Sequence, residues 1–173
     1  VTVGADTAWC GYKLDNKPNV TMTNDSLTHW YNFSNAPEGL DNVTFYCNNS
    51  GGVMATSAIT FFRVDLTAPT VTIISPTAQF YRANITVNVS ADDTLTYVSS
   101  ASFRLENATY NTAYATMSKS GNFWNGTIYS AMFSDGNYTV RANATDSVGN
   151  SNTSVYVNIS IDNTAPRVLL FGY

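Results

Sequence analysis

The five-residue phrase Asp-x-Thr-Ala-Pro occurs twice, ending at Pro69 and at Pro166, 97 residues apart. The longer phrases are Arg63-Val-Asp-Leu-Thr-Ala-Pro69 and Ser160-Ile-Asp-Asn-Thr-Ala-Pro166. A long-period repeat means that one structural unit is built more than once, so any fold proposed for the chain has to work twice. Each copy follows an apolar–polar alternating segment and ends in a proline, which removes a ladder donor, so both read as linkers. The repeat extends inward. Val1-Thr-Val-Gly-Ala-Asp6 aligns with Val87-Asn-Val-Ser-Ala-Asp92, and Tyr12-Lys-Leu-Asp-Asn16 with Phe103-Arg-Leu-Glu-Asn107. Asn42-Val-Thr-Phe-Tyr-Cys47 aligns with Asn137-Tyr-Thr-Val-Arg-Ala142. The order is kept while loop lengths differ. The expected domains are 1–66, 67–163 and a tail, 164–173.

Both units are expected to be all-β. Only 12% of the 173 residues are charged, Thr, Ser and Asn are abundant, and no stretch sustains a 3.6-residue period. Thr, Val, Tyr and Phe suit a pleated, half-buried surface. In the second repeat seven strands are expected, at 71–74, 84–90, 97–105, 112–117, 125–129, 138–144 and 154–161. The segment 84–90 alternates cleanly, with Ile85, Val87 and Val89 inward. Seven short strands in about 97 residues fit a Greek-key sandwich.

The repeat also bears on the cysteines. In the alignment Cys10 falls opposite Ala101 and Cys47 opposite Ala142. Cysteine at both positions in one copy and alanine at both in the other is what a bonded pair predicts. A bond implies an oxidising compartment and a gain of roughly 2–4 kcal/mol. Two free buried thiols are the alternative.

These residues resemble the immunoglobulin-like repeats of archaeal and bacterial cell-surface and filament proteins, leaning toward archaeal examples. The resemblance rests on Trp9-Cys10-Gly11-Tyr12-x-Leu14-Asp15, Asn42-Val43-Thr44-Phe45-Tyr46-Cys47, Asp65-x-Thr67-Ala68-Pro69, Gly136-Asn-Tyr-Thr-Val140 and Ala144-Thr-Asp-Ser-Val-Gly149. It implies two tandem Greek-key sandwiches in a surface, adhesive or filamentous protein; the functional part is fold-level analogy.

The first repeat departs from the pattern. With Val1 opposite Val87, residues equivalent to 69–86 are missing from it, and with them a first strand. The segment Thr164-Ala-Pro-Arg-Val-Leu-Leu-Phe-Gly-Tyr173 aligns with Thr67-Ala-Pro-Thr-Val-Thr-Ile-Ile-Ser-Pro76, a linker and a spare first strand. A sheet lacking its edge strand exposes backbone donors and an apolar groove. The expectation is donor-strand complementation: Val168, Leu169, Leu170 and Phe171 of one copy pair beside an acceptor edge that includes Val1 and Val3 of the next. Such a head-to-tail contact propagates into a filament. The alternative is a spacer or binding module of a larger adhesin or surface-layer protein.

Other chemistry is thin. A net charge of −4 argues against nucleic acid, and no apolar run spans a membrane. The one histidine, His29, is expected to be an ordinary surface or packing residue at a loop or strand end. Without a base for a nucleophile, zinc-ligand spacing or a phosphate loop, no enzyme and no cofactor are expected. Asp65, Asp92, Asp93 and Asp146 are oxygen donors that could hold Ca²⁺, although Asp also favours turns for backbone reasons. Trp9, Trp30 and Trp124 could form a carbohydrate platform but suit a core equally well. Asn-x-Ser/Thr sequons start at Asn19, Asn24, Asn32, Asn42, Asn48, Asn84, Asn88, Asn107, Asn125, Asn137, Asn143, Asn152 and Asn158. So many point to an extracellular, N-glycosylated surface, or to Asn and Thr filling solvent-facing strand positions.

Overall fold

A computed structural model describes residues 1–169 except Val3, Ala5, Ser26, Leu27 and residues 33–35. Two compact units divide the chain, Val1–Leu66 and Thr67–Tyr173.

Unit 1 carries β1 (Thr7–Leu14), β2 (Val20–Thr21), β3 (Thr23–Asp25), β4 (Thr28–Trp30), β5 (Gly39–Asn49), β6 (Met54–Thr56) and β7 (Thr60–Val64). Its one substantial sheet runs β2-β1-β5, with β6 and β7 both on the far side of β5. The short β3–β4 hairpin stands apart from it. Beside β4, Val1 and His29 exchange backbone hydrogen bonds of 2.8 and 3.0 Å, and Thr2 bridges Thr28.

Unit 2 carries β8 (Thr70–Ser75), β9 (Phe80–Tyr81), β10 (Ile85–Asp92), β11 (Val98–Glu106), β12 (Ala115–Thr116), β13 (Ser118–Ser120), β14 (Phe123–Ile128), β15 (Gly136–Asp146) and β16 (Ser151–Ile161). Two sheets enclose the core, in the orders β13-β14-β10-β8 and β12-β11-β15-β16-β9. Period-2 alternation builds it: Ile85, Val87 and Val89 of β10 face in and meet Phe103, Leu105, Val140 and Trp124. The Tyr138 hydroxyl donates to the Ser134 carbonyl at 2.9 Å, the tyrosine corner of immunoglobulin-like sandwiches. Gly126 is required by packing, since a Cβ there would lie 2.3 Å from the Phe103 ring.

Strand pairing sets the two units in register more sharply than residue matching does. Gly39 pairs with Val64 and Gly136 with Ile161, and both glycines have positive φ, 132° and 151°. Leu14 pairs with Val43 as Leu105 pairs with Val140, and Cys10 with Cys47 as Ala101 with Ala144. Cys47 therefore corresponds to Ala144, not to Ala142. Likewise Val1 sits beside His29 as Val89 sits beside Trp124, so Val1 corresponds to Val89 and not to Val87. Both corrections are slips of two residues. The shared Asn-x-Thr phrase attracts the first false alignment and the shared Val-x-Val phrase the second, and a two-residue slip keeps every side chain on its own face. The counterparts of β8, β9 and the Ile85–Asn88 half of β10 thus all lie outside Val1–Leu66.

The seven strands expected in unit 2 are present with shifted bounds. The segment 112–117 holds only the two-residue β12, β13 follows it as a further strand, and β9 is a second addition. Its two residues pair parallel with β16, too short a run to leave a periodic signal. No helix among the described residues is long and apolar enough to cross a membrane.

Candidate functional site: the open slot of unit 1

Unit 2 buries a large shared core, whereas among the described residues of unit 1 the buried apolar cluster is Cys10, Tyr12, Leu14, Met22 and Val43, with Val20, Phe45, Cys47 and Phe62 half-covered around them. Two positions that hold rings in unit 2 hold polar groups in unit 1. His29 takes the place of Trp124, since Asn24–His29 pairs as Lys119–Trp124 does. It is 1% exposed, and neither ring nitrogen has a hydrogen-bond partner among the described residues. Of the two alternatives, surface or packing, it is thus the packing residue, inside β4. Asp41 takes the place of Tyr138 and is also buried, with Oδ2 unpartnered. Burial first, then its hydrogen bond and charge repulsion with Asp15, push its carboxyl upward against the pull of Lys17. Tyr12 packs on Tyr31 with ring centroids 5.0 Å apart, and burial first, then the side-chain hydrogen bond and charge interaction with Tyr31, raise its phenol.

A groove of about 350 Å³ opens in this unit, lined by Val1, Gly4, Phe45, Cys47, Ala55 and Thr56 among others. In the register above, their counterparts are Val89, Asp92, Ala142, Ala144, Asn152 and Thr153, on β10, β15 and β16. Those are the three strands that β8 contacts in unit 2. There β8 pairs with β10, Val71 is buried, and the Asn152 amide donates to the Pro69 carbonyl at 3.1 Å. The groove of unit 1 is the place that β8 fills in unit 2.

Cys47, bonded to the buried Cys10, lines the groove. The two residues face each other directly across β1 and β5, with Cα atoms 4.1 Å apart. Of the acceptor-edge residues, Val1 lines the groove, while Val3 lies outside the described residues. Of the tail, Val168 and Leu169 are 84% and 60% exposed, and Leu170 and Phe171 lie outside the described residues. The tail's root is pinned: the Asn163 N–H donates to Asp135 Oδ1 at 2.6 Å and the Thr164 hydroxyl to Oδ2. Unit 1 has the same device, with the Leu66 N–H donating to Glu38 Oε1 at 3.4 Å. A carboxylate three residues ahead of a predicted strand is too common a pattern to reveal such a pin.

The acidic residues are spread over both units. Asp65 is buried in unit 1 and Asp92 is exposed at the end of β10. In unit 2, Asp93 and Asp146 each offer an oxygen within 4.8 Å of the other. Asp93 Oδ1 accepts the Leu95 and Thr96 N–H groups. Asp146 Oδ1 accepts those of Val148, Gly149 and Asn150, and Oδ2 the Asn150 amide. Burial would raise the Asp146 carboxyl, but these donors outweigh it and hold it below the usual range. The Thr164 and Asn163 donors do the same for Asp135. An unfolded Asp takes its proton near pH 3.9, whereas these two resist to lower pH. Their stabilisation is therefore complete above about pH 4 and is lost as pH falls through the depressed values. Asp146→Asn is expected to flatten the acid limb of unit 2 melting followed by calorimetry between pH 7 and pH 3. An unchanged limb would refute that role.

Of the tryptophans, Trp124 is core, Trp30 is exposed, and the Trp9 Nε1 donates to the Thr21 hydroxyl. Sequons fall mostly on strands: Asn24, Asn42, Asn48, Asn88, Asn125, Asn137, Asn143, Asn152 and Asn158, with Asn19, Asn32, Asn84 and Asn107 outside them.

These features define a tandem of immunoglobulin-like β-sandwich repeats, the first without its N-terminal strand within Val1–Leu66. Residues 69–142 match the bacterial Ig domain family, and residues 123–172 match the bacterial Ig-like domain family, group 3. No curated protein sequence matches the chain. Among solved structures, the fibronectin(III)-like modules of Clostridium thermocellum CbhA superpose with a TM-score of 0.51 at 14% identity, over 99% of this chain and 87% of theirs. That likeness shows the fold. An engineered protein superposes at 0.43 with 23% identity over 54% of this chain and 20% of its own. An endo-β-1,4-mannanase from Thermotoga petrophila superposes at 0.47 with 10% identity over 58% of this chain and 21% of its own. The family matches, both within unit 2, point to a surface, binding or linker module, and the disulfide fits a secreted protein.

Proposed function

We propose that this chain is a non-catalytic structural subunit of an extracellular filament, N-glycosylated, whose copies join head to tail by strand donation. The segment that follows Thr164-Ala-Pro166 in one copy fills the slot in unit 1 of the next. The observation that carries this reading is the coincidence of the unit 1 groove with the position of β8 in unit 2. β8 itself follows Thr67-Ala-Pro69, so the tail carries the same approach sequence and then an apolar run. Strand addition satisfies edge donors and acceptors while alternate side chains enter pockets. A heterologous contact of this kind leaves one slot and one tail free at each step, so growth stays open.

Deleting residues 167–173 tests the reading. The full chain is expected to form filaments in negative-stain electron microscopy and the shortened chain to remain monomeric. Filaments that survive the deletion, or a full chain that stays monomeric, would overturn strand donation and favour a spacer module in a larger surface protein.

A further inference from the structure

The sequons are not equivalent once the chain is folded, and the difference lies in what each side-chain amide is already doing. Asn42 Nδ2 donates to Asp15 Oδ1 at 2.8 Å, and Asn152 Nδ2 to the Pro69 carbonyl at 3.1 Å. Carboxylate and carbonyl oxygens only accept, so in both cases the nitrogen is the bound atom. Both asparagines are half-buried. Asn107 shows the reverse arrangement. Its Oδ1 accepts the backbone N–H of Thr109 at 3.0 Å and the Thr109 hydroxyl at 3.2 Å. The oxygen is fixed toward the chain, and Nδ2 has no hydrogen-bond partner among the described residues.

Asn137 and Asn158 form a reciprocal pair on the neighbouring strands β15 and β16. Asn137 lies opposite Ser160, and Thr139 opposite Asn158. The Ser160 hydroxyl donates to Asn137 Oδ1 at 2.7 Å, and the Thr139 hydroxyl to Asn158 Oδ1 at 2.8 Å. The hydroxyl of each sequon thus holds the amide oxygen of the other, and both asparagines are exposed. All three line one groove of about 710 Å³ together with Phe80, which is 77% exposed.

We infer that the folded chain accepts N-linked glycans at Asn107, Asn137 and Asn158 and excludes them at Asn42 and Asn152. The co-reactant is an oligosaccharide activated on a lipid phosphate. The amide nitrogen bonds to the sugar anomeric carbon as that carbon's bond to phosphate oxygen breaks. The proton lost from nitrogen leaves with the phosphate product. Nitrogen has to be presented to the transferase, and the sugar has to have room afterwards, which the three groove sites provide. Glycans there cover Phe80 and the free edge of β9, which pairs with β16 on one side only. A covered edge cannot template a stray strand, so strand addition is directed to unit 1.

This inference rests on the glycosylation part of the proposed function but on none of its assembly residues. The test incubates the purified, disulfide-intact chain with an oligosaccharyltransferase and a lipid-linked oligosaccharide. A free sequon peptide in the same reaction reports that transfer works, and peptide mass spectrometry maps the sites. The expected result is one glycan mass added at each of Asn107, Asn137 and Asn158 and none at Asn42 or Asn152. The reduced, denaturant-unfolded chain is expected to gain Asn42 and Asn152 as well. Modification of Asn42 or Asn152 in the folded chain, or an unmodified Asn107 beside a modified peptide, would overturn it. Either failure leaves the deletion experiment on filaments unaffected.

Discussion

Replacing Cys10 and Cys47 together by alanine is expected to unfold unit 1 at temperatures where unit 2 stays folded. The bond joins residues 37 apart in sequence, and closing a loop of that length limits the unfolded chain by about 4 kcal/mol in the chain-entropy account. Unit 1 has little to set against such a loss. Among the described residues its buried apolar set is the short one around Tyr12, Leu14 and Val43, and there His29 has both ring nitrogens, and Asp41 one oxygen, without a partner. Buried polar atoms without partners each cost roughly 1–3 kcal/mol, and small domains have only about 5–15 kcal/mol of net stability. Unit 2 supplies the internal comparison. At the corresponding pair, Ala101 and Ala144, it has no bond, and its two-sheet core compensates. Calorimetry of the double variant should show the unit 1 transition lost or moved far down and the unit 2 transition in place. Two unshifted transitions would mean that strand packing, and not the bridge, holds unit 1.

The sequence revealed what depends on period and on repetition. Alternation marked the strands of unit 2, and the recurrence of Asp-x-Thr-Ala-Pro marked the linkers, because both signals survive in any single stretch of chain. Register was not legible at the level of two residues. Asn42-Val-Thr and Asn137-Tyr-Thr look alike, yet the strand pairings set Asn42 beside Thr139 in the common frame, and nothing in facing distinguishes the two choices. Burial of polar residues was not legible either. His29 reads equally as a surface or a packing residue because its neighbours are polar or aromatic, and only its pairing with Asn24 places it where Trp124 stands. The slot follows from long-range pairing: Phe45, Ala55 and Val1 meet there from three separate segments.

Supplying the missing strand in the same chain should both stabilise unit 1 and stop assembly. In unit 2 β8 is antiparallel to β10, with Ser75 beside Asn88 and Val71 beside Ala91. Since Ile73 lies beside Val89, a copy of residues 164–173 placed ahead of Val1 sets its Leu170 opposite Val1, and its last three residues with a short Gly-containing spacer form the loop that folds it back along the acceptor edge. In that frame Val168 takes the place of Val71, which is buried, and Leu170 that of Ile73, which is half-buried. Burying two such side chains is worth about 2–5 kcal/mol, so the unit 1 transition should rise clearly. With its slot filled, a subunit cannot accept the next tail, and filaments should be absent. Parity makes the test specific. Leu169 takes the place of Thr72, which is exposed, so Leu169→Asp in the added strand should keep the gain. Val168→Asp would drive a carboxylate into the core and should abolish it. Equal effects of the two substitutions would show that the tail does not enter the slot as a strand in this register. A fusion that melts like the parent and still polymerises would show that the tail and the slot do not belong together.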